Sequence, residues 1–314
     1  MAGSSPFRAL LFAPPVLLCL AAFFWATNAI VGKIAATAGI PPISLAFWRW
    51  TLAVLFILPL TGRALWRQRA VVRRQWPLLL TLGTLSAGAY NALMYAALNH
   101  STALNVSLVG ASMPVIMALM ARLVLGDRLR VLQWAGIGIS LCGVVLVLLR
   151  GDPALAASLT LNPGDGLMLL ATVSWSAYSV TLRRHPPGLG ALEFLTAQMI
   201  GGLVILTPLA VWEGASGSGM PLTWTTAWIL PYTAVFPALV AFGCWNRGLA
   251  AVGPGIAGIY TNLIPVLTAL MAVAVLGEQI AWYHGVALVA ILGGITLVSA
   301  RPRGGEKKRP DRSG

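Results

Sequence analysis

One phrase occurs twice in this chain. Residues 109–129 read VGASMPVIMALMARLVLGDRL, and residues 260–280 read YTNLIPVLTALMAVAVLGEQI. Without a gap, Pro114 aligns with Pro265, and both copies end on a Leu-Gly pair followed by an acidic residue. Each copy is an apolar segment of about 20 residues, long enough to cross a hydrocarbon core of about 30 Å as a helix. The repeat therefore predicts a tandem duplication of membrane-spanning helices.

The composition supports a membrane protein. Hydrophobic residues make up 58% of the 314 positions and charged residues only 9%, against about 25% charged in an ordinary soluble domain. The net charge of +13 could suggest nucleic-acid binding, but the Lys and Arg sit mainly in short connections and in the C-terminal tail. We therefore expect the lipid bilayer, and no nucleic acid, as a partner.

Apolar runs separated by Pro, Gly or charged residues divide the chain into ten segments, five in each half. Trp25 and Trp175 occupy matching places in the two halves, about 150 residues apart. The predicted units are a first five-helix repeat at 13–149, a second at 164–300 and a basic tail at 301–314. The predicted helices are 13–35, 43–62, 76–98, 102–125, 131–149, 165–183, 191–212, 227–250, 254–276 and 281–300.

The distribution of cations predicts the orientation of the helices. The connections after even-numbered helices and the tail carry most of the Lys and Arg, so this face is predicted to be cytoplasmic, with both termini inside. Because each repeat has an odd number of helices, the second must enter the membrane upside down. The predicted fold class is an all-α polytopic membrane protein of the inner membrane, with ten transmembrane helices in two inverted five-helix repeats.

Several phrases together resemble a known family. These are FWRW at the start of the second segment, CWNRGLAAVGPGIAG in the eighth and ninth, and the duplicated proline phrase. They resemble the EamA branch of the drug/metabolite transporter superfamily over residues 13–300. The resemblance implies a ten-helix inverted-repeat carrier, and many such carriers export amino acids or related metabolites. Ser112 and Met113 replace the aromatic-rich approach to this proline in the aromatic exporters, which argues against a narrow aromatic substrate.

Polar and aromatic side chains in the middle of apolar segments mark a candidate substrate site. Trp25 with Asn28 and Trp175 with Tyr178 each share one helical face, and two facing rings could wall a midplane cavity for a small zwitterion. Helix packing or interfacial anchoring is the alternative interpretation of these residues. The predicted substrate-binding residues are Trp25, Asn28, Arg49, Tyr90, Asn91, Tyr95, Asn105, Ser112, Trp175, Tyr178, Trp245, Tyr260 and Asn262.

Arg49 is the one cation predicted deep in a segment, about two turns beyond Pro42. Such a charge must face protein or water. It could clamp a carboxylate or phosphate of the substrate through its planar fork. A structural role, capping carbonyl groups or reaching the interface, is the other interpretation.

The two aligned prolines, Pro114 and Pro265, are predicted to lie in helix interiors and to act as paired gates, with a packing kink as the alternative. No Asp or Glu falls near the middle of a predicted helix. This favours facilitated exchange, or coupling through a less obvious group, over a carboxylate-based proton antiporter.

The predicted function is a secondary transporter that exports amino acids or related small metabolites by alternating access. An uptake or exchange carrier for a nucleotide-like metabolite or a cationic drug is the alternative. An enzyme is not expected, since HExxH is absent and the three histidines lie at segment ends. The three cysteines lie inside apolar runs without disulfide or zinc spacing. We expect no cofactor and no metal, a small-molecule substrate, and a monomer or weak homodimer.

Overall fold

The computed structural model describes residues 13–100, 109–149, 151–157, 163–217, 219–276 and 282–299, and within them every regular element is helical. The α-helices are α1 (Pro14–Thr37), α2 (Pro42–Arg67), α3 (Arg69–Gly83), α4 (Asn91–His100), α5 (Met113–Leu125), α6 (Val131–Leu148), α7 (Ala154–Ala157), α8 (Pro163–Arg184), α9 (Ala191–Ala215), α10 (Trp224–Thr233), α11 (Ala241–Val252), α12 (Pro254–Ala257), α13 (Leu263–Leu276) and α14 (Trp282–Ser299).

The predicted all-helical class is confirmed. Within the described residues, four stretches are long and apolar enough to cross a membrane: Pro14–Gly32, Pro42–Arg67, Ala191–Ala215 and Trp224–Val252. Shorter apolar helices cover Met113–Leu125, Val131–Leu146 and Gly285–Val298. The number of membrane crossings remains a prediction of ten.

The connection between the second and third predicted segments is helical rather than a loop. α2 continues to Arg67, α3 begins at Arg69, and only Gln68 stands between them, with its N–H bonded to the carbonyl of Ala64 at 2.9 Å. The predicted second helix ends at residue 62 because the charged residue Arg63 follows its apolar run. Arg and Gln are good helix formers, and no Gly or Pro breaks the stretch after Arg63, so the backbone stays helical.

Helices that match in the two repeats run antiparallel to each other. Near one end of the α2–α9 pair, Ser44 donates to Glu213, and near the other end the hydroxyls of Thr61 and Thr196 are 3.0 Å apart. In the pair α6 and α14, the Gln133 side chain near the start of α6 donates to the carbonyl of Val298 near the end of α14.

The remaining contacts also exchange between the two halves. The first segment, α1, packs on α11 and α13, which belong to the eighth and ninth segments. Its counterpart, α8, packs on α4 and α5, which belong to the third and fourth. The first helix of each half therefore packs on the third and fourth segments of the other half.

Both halves interrupt the same segment with a π-helical turn. Thr84–Tyr90 joins α3 to α4, and Ala234–Val240 joins α10 to α11 about 150 residues later. Each is seven residues long. A π-helical turn rotates the following side chains relative to an uninterrupted α-helix and is common at functional sites. Tyr90 closes the first turn, and Phe242 and Trp245 follow the second closely.

Glycines permit the closest helix contacts. A methyl group on Gly83 would lie 2.4 Å from the carbonyl oxygen of Gln198, and one on Gly294 would lie 2.5 Å from that of Gly136. A side chain at either position would separate the helices. At Gly138 and Gly293, by contrast, an added methyl group would meet no atom within 4 Å.

Of the two aligned prolines, Pro114 is not in a helix interior, so the prediction was wrong for this residue. Pro114 is the second residue of α5, after a turn at Ser112. Pro265 is the third residue of α13, directly after a 3₁₀ turn at Gly258–Asn262. At Pro114, the first-turn N–H groups have no intrahelical partner, so proline costs little, and its fixed φ suits a helix start. The start of α5 meets the 3₁₀ turn that precedes α13, since a methyl group on Gly258 would lie 3.3 Å from Cα of Pro114.

Candidate substrate site

An aromatic cluster occupies the centre of the molecule, where both repeats contribute rings. Trp25 of α1 and Trp175 of α8 are in direct edge-to-face contact, with ring centroids 5.3 Å apart at 87°. Phe242 lies 5.7 Å from Trp25 and 5.3 Å from Trp175. The two tryptophans therefore fill the space between the repeats in this structure, instead of standing on opposite walls of a cavity.

Three further rings extend the cluster. Trp245 lies 5.8 Å from Trp175 and Tyr90 lies 5.2 Å from it, while Trp50 lies 4.9 Å from Phe242. Trp50 is completely buried. Edge-to-face and tilted contacts at these distances are the favoured geometries of aromatic pairs.

The indole N–H groups of the cluster fall into two kinds. Nε1 of Trp25 donates to the carbonyl oxygen of Pro237, in the second π turn, at 3.2 Å. Nε1 of Trp50, Trp175 and Trp245 are buried and have no hydrogen-bond partner. A buried donor without a partner costs about 1–3 kcal/mol. Each of these three donors would therefore stabilise an incoming acceptor.

Arg49 lies beside this cluster. It is 3% exposed, its guanidinium is 4.8 Å from the ring centroid of Trp50, and Nη1 donates to Oδ1 of Asn28 at 3.4 Å. The contacts with an aromatic face and with an amide help to hold the guanidinium in the protein interior. The structure therefore places Arg49 beside Asn28, another predicted site residue, and the role of Arg49 stays a prediction.

A chain of neutral polar groups crosses four helical segments next to the cluster. The hydroxyl of Tyr178 donates to Oδ1 of Asn246, whose Nδ2 donates to Oε1 of Gln198 at 3.0 Å. Nε2 of Gln198 donates to Oγ of Ser86 at 2.8 Å, and Ser86 donates to the carbonyl of Leu82 at 2.6 Å. Gln198 and Ser86 are completely buried. Each amide is thus oriented by its neighbour.

A cavity of about 740 Å³ leads to this chain. Its walls come from α1, α8, α9, α11 and the connection at 185–190, and they are mostly aliphatic. Asn246 lies on its lining, as do Arg183 and Arg247. A largely apolar cavity with few polar groups is typical of sites for small organic molecules. We call this the cavity end of the bundle.

The opposite end of the bundle is held together by polar contacts between the repeats. The carboxylate of Glu213 on α9 accepts hydrogen bonds from the backbone N–H of Ile43 at 3.1 Å and of Ser44 at 2.6 Å, and from the Ser44 hydroxyl at 2.7 Å. It thereby caps the N-terminus of α2, where a negative charge is favoured. Tyr232 also donates to Thr27 at 2.6 Å.

Apolar packing completes this closure. Val31, Ala35, Ile40, Leu45 and Ile229 form a buried cluster at the same end. We call this the tied end.

The other predicted site residues lie in several places. Nδ2 of Asn91 donates to the carbonyl of Ala87, and Oγ of Ser112 to that of Val109 at 2.5 Å, both locally. Asn262 is buried and donates to Ser140 of α6 at 3.0 Å. Tyr260 is buried in the main core. Asn105 and the side chain of Tyr95 lie outside the described residues.

Sequence reasoning missed several groups of the site. Gln198, Ser86, Trp50 and Phe242 were not predicted, nor was the tie made by Glu213. Gln198 is a single amide in a strongly apolar helix, and this was a usable signal. Trp50 and Phe242 looked like ordinary apolar residues, and only packing revealed their neighbours. Within the described ranges, no group of three His, Cys, Asp or Glu residues could hold a metal ion.

Comparison with known proteins places the chain in a family. The family model described as the EamA-like transporter family matches residues 14–149 and again residues 162–300. The chain belongs to the EamA-like transporter family. It is thus a membrane transporter of the drug/metabolite transporter superfamily, and the resemblance seen in the sequence is confirmed.

Relatives of this EamA protein carry similarly general descriptions. The chain is 26% identical over 261 residues to the uncharacterized transporter YyaM of Bacillus subtilis (strain 168), covering 82% of this chain and 84% of YyaM. It is 27% identical over 296 residues to an uncharacterized transporter of Archaeoglobus fulgidus, covering 91% and 97%. It is 28% identical over 198 residues to the uncharacterized inner membrane transporter YedA of Escherichia coli (strain K12), covering 62% and 60%.

A solved structure shares the fold. One crystal structure of a protein superposes with a TM-score of 0.75 at 21% identity, over 91% of this chain and 96% of that one.

Proposed function

We propose that this EamA-family transporter is a secondary carrier that exports amino acids or related small metabolites from the cytoplasm by alternating access. The substrate would bind at the aromatic cluster, between the cavity end and the tied end. In the conformation described above, the cavity end would admit solutes and the tied end would be closed.

The observation that carries the proposal is the surplus of donors in the cluster. Trp50, Trp175 and Trp245 each hold a buried indole N–H without a partner, and an indole can only donate. Arg49 adds a positive charge beside Trp50. Donor-only groups next to a cation favour a ligand that brings acceptors and negative charge, and a carboxylate provides both. Every amino acid carries one.

The rest of the site suits the other parts of an amino acid. Aromatic rings and the aliphatic walls of the cavity offer contact for an apolar side chain. The chain from Tyr178 to Ser86 is neutral throughout. Neutral groups bind a zwitterion weakly enough for it to leave, as a carrier requires.

The packing of the two halves supports alternating access. Matching helices run antiparallel, as the pairs α2–α9 and α6–α14 show. In an inverted repeat, each half can adopt the conformation of the other, which moves the opening from one face to the opposite face. The starts of α5 and α13, at Pro114 and Pro265, are the proposed gates because the helices are interrupted there on both sides of the pseudo-twofold.

Counterflow into proteoliposomes tests the substrate class. Vesicles preloaded with an unlabelled amino acid should accumulate the labelled one, whereas an amine that lacks the carboxylate and a cationic dye should not be accumulated. Accumulation of nucleosides or cationic dyes instead would establish the alternative carrier. Net efflux from vesicles of known orientation tests the direction, and uptake alone would overturn export.

A matched pair of variants links the assay to the site. Trp245→Phe removes one unpartnered N–H and keeps an aromatic ring, so it should weaken binding of carboxylates. Trp48→Phe changes an exposed tryptophan on α2 and should leave transport unchanged. Equal transport by the two variants would mean that the indole N–H groups do not bind the substrate.

A further inference from the structure

The corner between α2 and α3 concentrates positive charge and exposed aromatic rings. Within it, five arginines and two tryptophans fall in a stretch of fourteen positions, 63–76, and all seven side chains are exposed. We call this corner the arginine elbow; its residues are Arg63, Trp66, Arg67, Arg69, Arg73, Arg74 and Trp76.

The elbow has a defined shape. α2 and α3 are joined by Gln68 alone, so the arginines sit on two short helical ends rather than on a loop. The guanidinium of Arg69 lies 5.1 Å from the ring centroid of Trp66, which connects the two helices through a cation–π contact. Helical spacing places Arg69, Arg73 and Trp76 on one face of α3.

The guanidinium groups of the elbow are available for a ligand. Within the described part of the chain, none of the five donates a hydrogen bond to the protein or pairs with a carboxylate. No Asp or Glu occurs anywhere between residues 41 and 126 of the sequence. By contrast, Arg183 donates to the carbonyl of Ala250, and Arg184 to that of Val124 at 2.7 Å.

The elbow also lies where a bilayer presents its headgroups. Leu60 is 76% exposed, and Arg63 and Arg67 follow it on the same face of α2 at helical spacing. From Leu60 to Arg67 the helix rises about 10 Å, enough to pass from acyl chains into the headgroup layer. Trp66 and Trp76, 70% and 60% exposed, have the side chain that is enriched at this boundary.

We propose that the arginine elbow binds the phosphate of an anionic phospholipid headgroup. A guanidinium group can donate two parallel hydrogen bonds to phosphate oxygens. The negative charge of the headgroup would also balance the positive charge of the elbow, which contains no acidic residue. The indole rings would fix the depth of the elbow, so that the arginines meet the phosphates directly. This site is separate from the substrate site and does not depend on the substrate being an amino acid.

Native mass spectrometry of the full-length chain in detergent tests the proposal. Titration with phosphatidylglycerol and with phosphatidylcholine gives the affinity for the first bound lipid of each kind. We expect phosphatidylglycerol to bind at least about tenfold more tightly. Each basic side chain near an anionic surface contributes about fivefold, so the double variant Arg69→Gln and Arg73→Gln should lose at least about tenfold of this preference.

The double variant Arg183→Gln and Arg184→Gln is the matched control, because it removes the same charge from guanidiniums that already bind carbonyl groups. It should keep the preference of the wild type. A similar loss in both variants would show that binding follows net charge, and the elbow site would be wrong.

Arg69→Lys with Arg73→Lys keeps charge and helix while removing the planar fork, and we expect an intermediate loss. Equal affinity of the wild-type chain for the two lipids would overturn the proposal outright.

Discussion

The tied end and the cavity end both lie where the two repeats meet, but their helices are joined in different ways. At the tied end, Glu213 caps α2 across the interface between the repeats, and Tyr232 bonds to Thr27. At the cavity end, the helices leave a space of about 740 Å³. Near the end of α2, the counterpart of α9, Arg63 and Arg67 are exposed, and α2 has no acidic residue equivalent to Glu213. A duplication can therefore lock one side of a bundle while the other opens.

Removal of Trp175 should have the largest effect, because this ring separates the two ends. It is 3% exposed and contacts rings on both repeats. Trp175→Ala should lower the free energy of unfolding by about 3–5 kcal/mol and abolish transport. Thermal unfolding in detergent measures the first effect and proteoliposome counterflow the second.

Trp175→Phe is the control for this change. It keeps a ring in the cluster and should retain most of the stability. A stable, fully active Trp175→Ala protein would mean that the cluster neither supports the fold nor divides the two ends.

The tie at Glu213 should be the next most important. Glu213→Ala leaves the buried Ser44 hydroxyl and two N–H groups of α2 without their acceptor, which costs about 1–3 kcal/mol. The tied end should then open more often. In a background without Cys19, Cys142 and Cys244, a cysteine replacing Val31 should react at least about fivefold faster with a soluble maleimide.

Glu193→Ala is the matched control, since Glu193 is at the other end of the same helix. It should leave the labelling rate unchanged. If both variants, or neither, accelerate labelling, Glu213 does not hold that end closed.

Substitutions of two asparagines test where the substrate binds. Asn246 borders the cavity and links Tyr178 to Gln198, whereas Asn262 is bonded to Ser140 on α6. Asn246→Ala should reduce transport of all substrates about tenfold, as the loss of one oriented hydrogen-bonding group costs about 1–3 kcal/mol. Asn262→Ala should have a smaller effect on transport. The reverse order, measured by initial rates in well-folded proteins, would move the site towards α13.

The smallest effect is expected from Arg183 at the cavity end. Arg183→Gln removes an exposed donor from the carbonyl of Ala250, and exposed charges contribute little to stability. The melting temperature should fall by less than about 3 °C, with transport nearly intact. A fall in melting temperature as large as that caused by Glu213→Ala would show that polar contacts between helices stabilise both ends equally.

The features that could be read from the sequence are those whose signal is local. Apolar length and the repeat were enough for the helical class, and Trp25, Trp175 and Arg49 were recognised because such side chains are unusual inside an apolar helix. The boundary at Arg63 and the position of Pro114 were misjudged, because charge and proline do not by themselves say where a helix begins or ends.

The sequence by itself determined the duplication, the helical class, the family and the few polar side chains that a membrane interior must accommodate. Only the tertiary structure decided which of them meet. The contact of Trp25 with Trp175, the bond from Gln198 to Ser86 and the tie from Glu213 to Ser44 all join residues more than 100 positions apart. Such pairs arise from the packing of one repeat against the other, and no periodicity along a single helix encodes which of its faces will meet which partner.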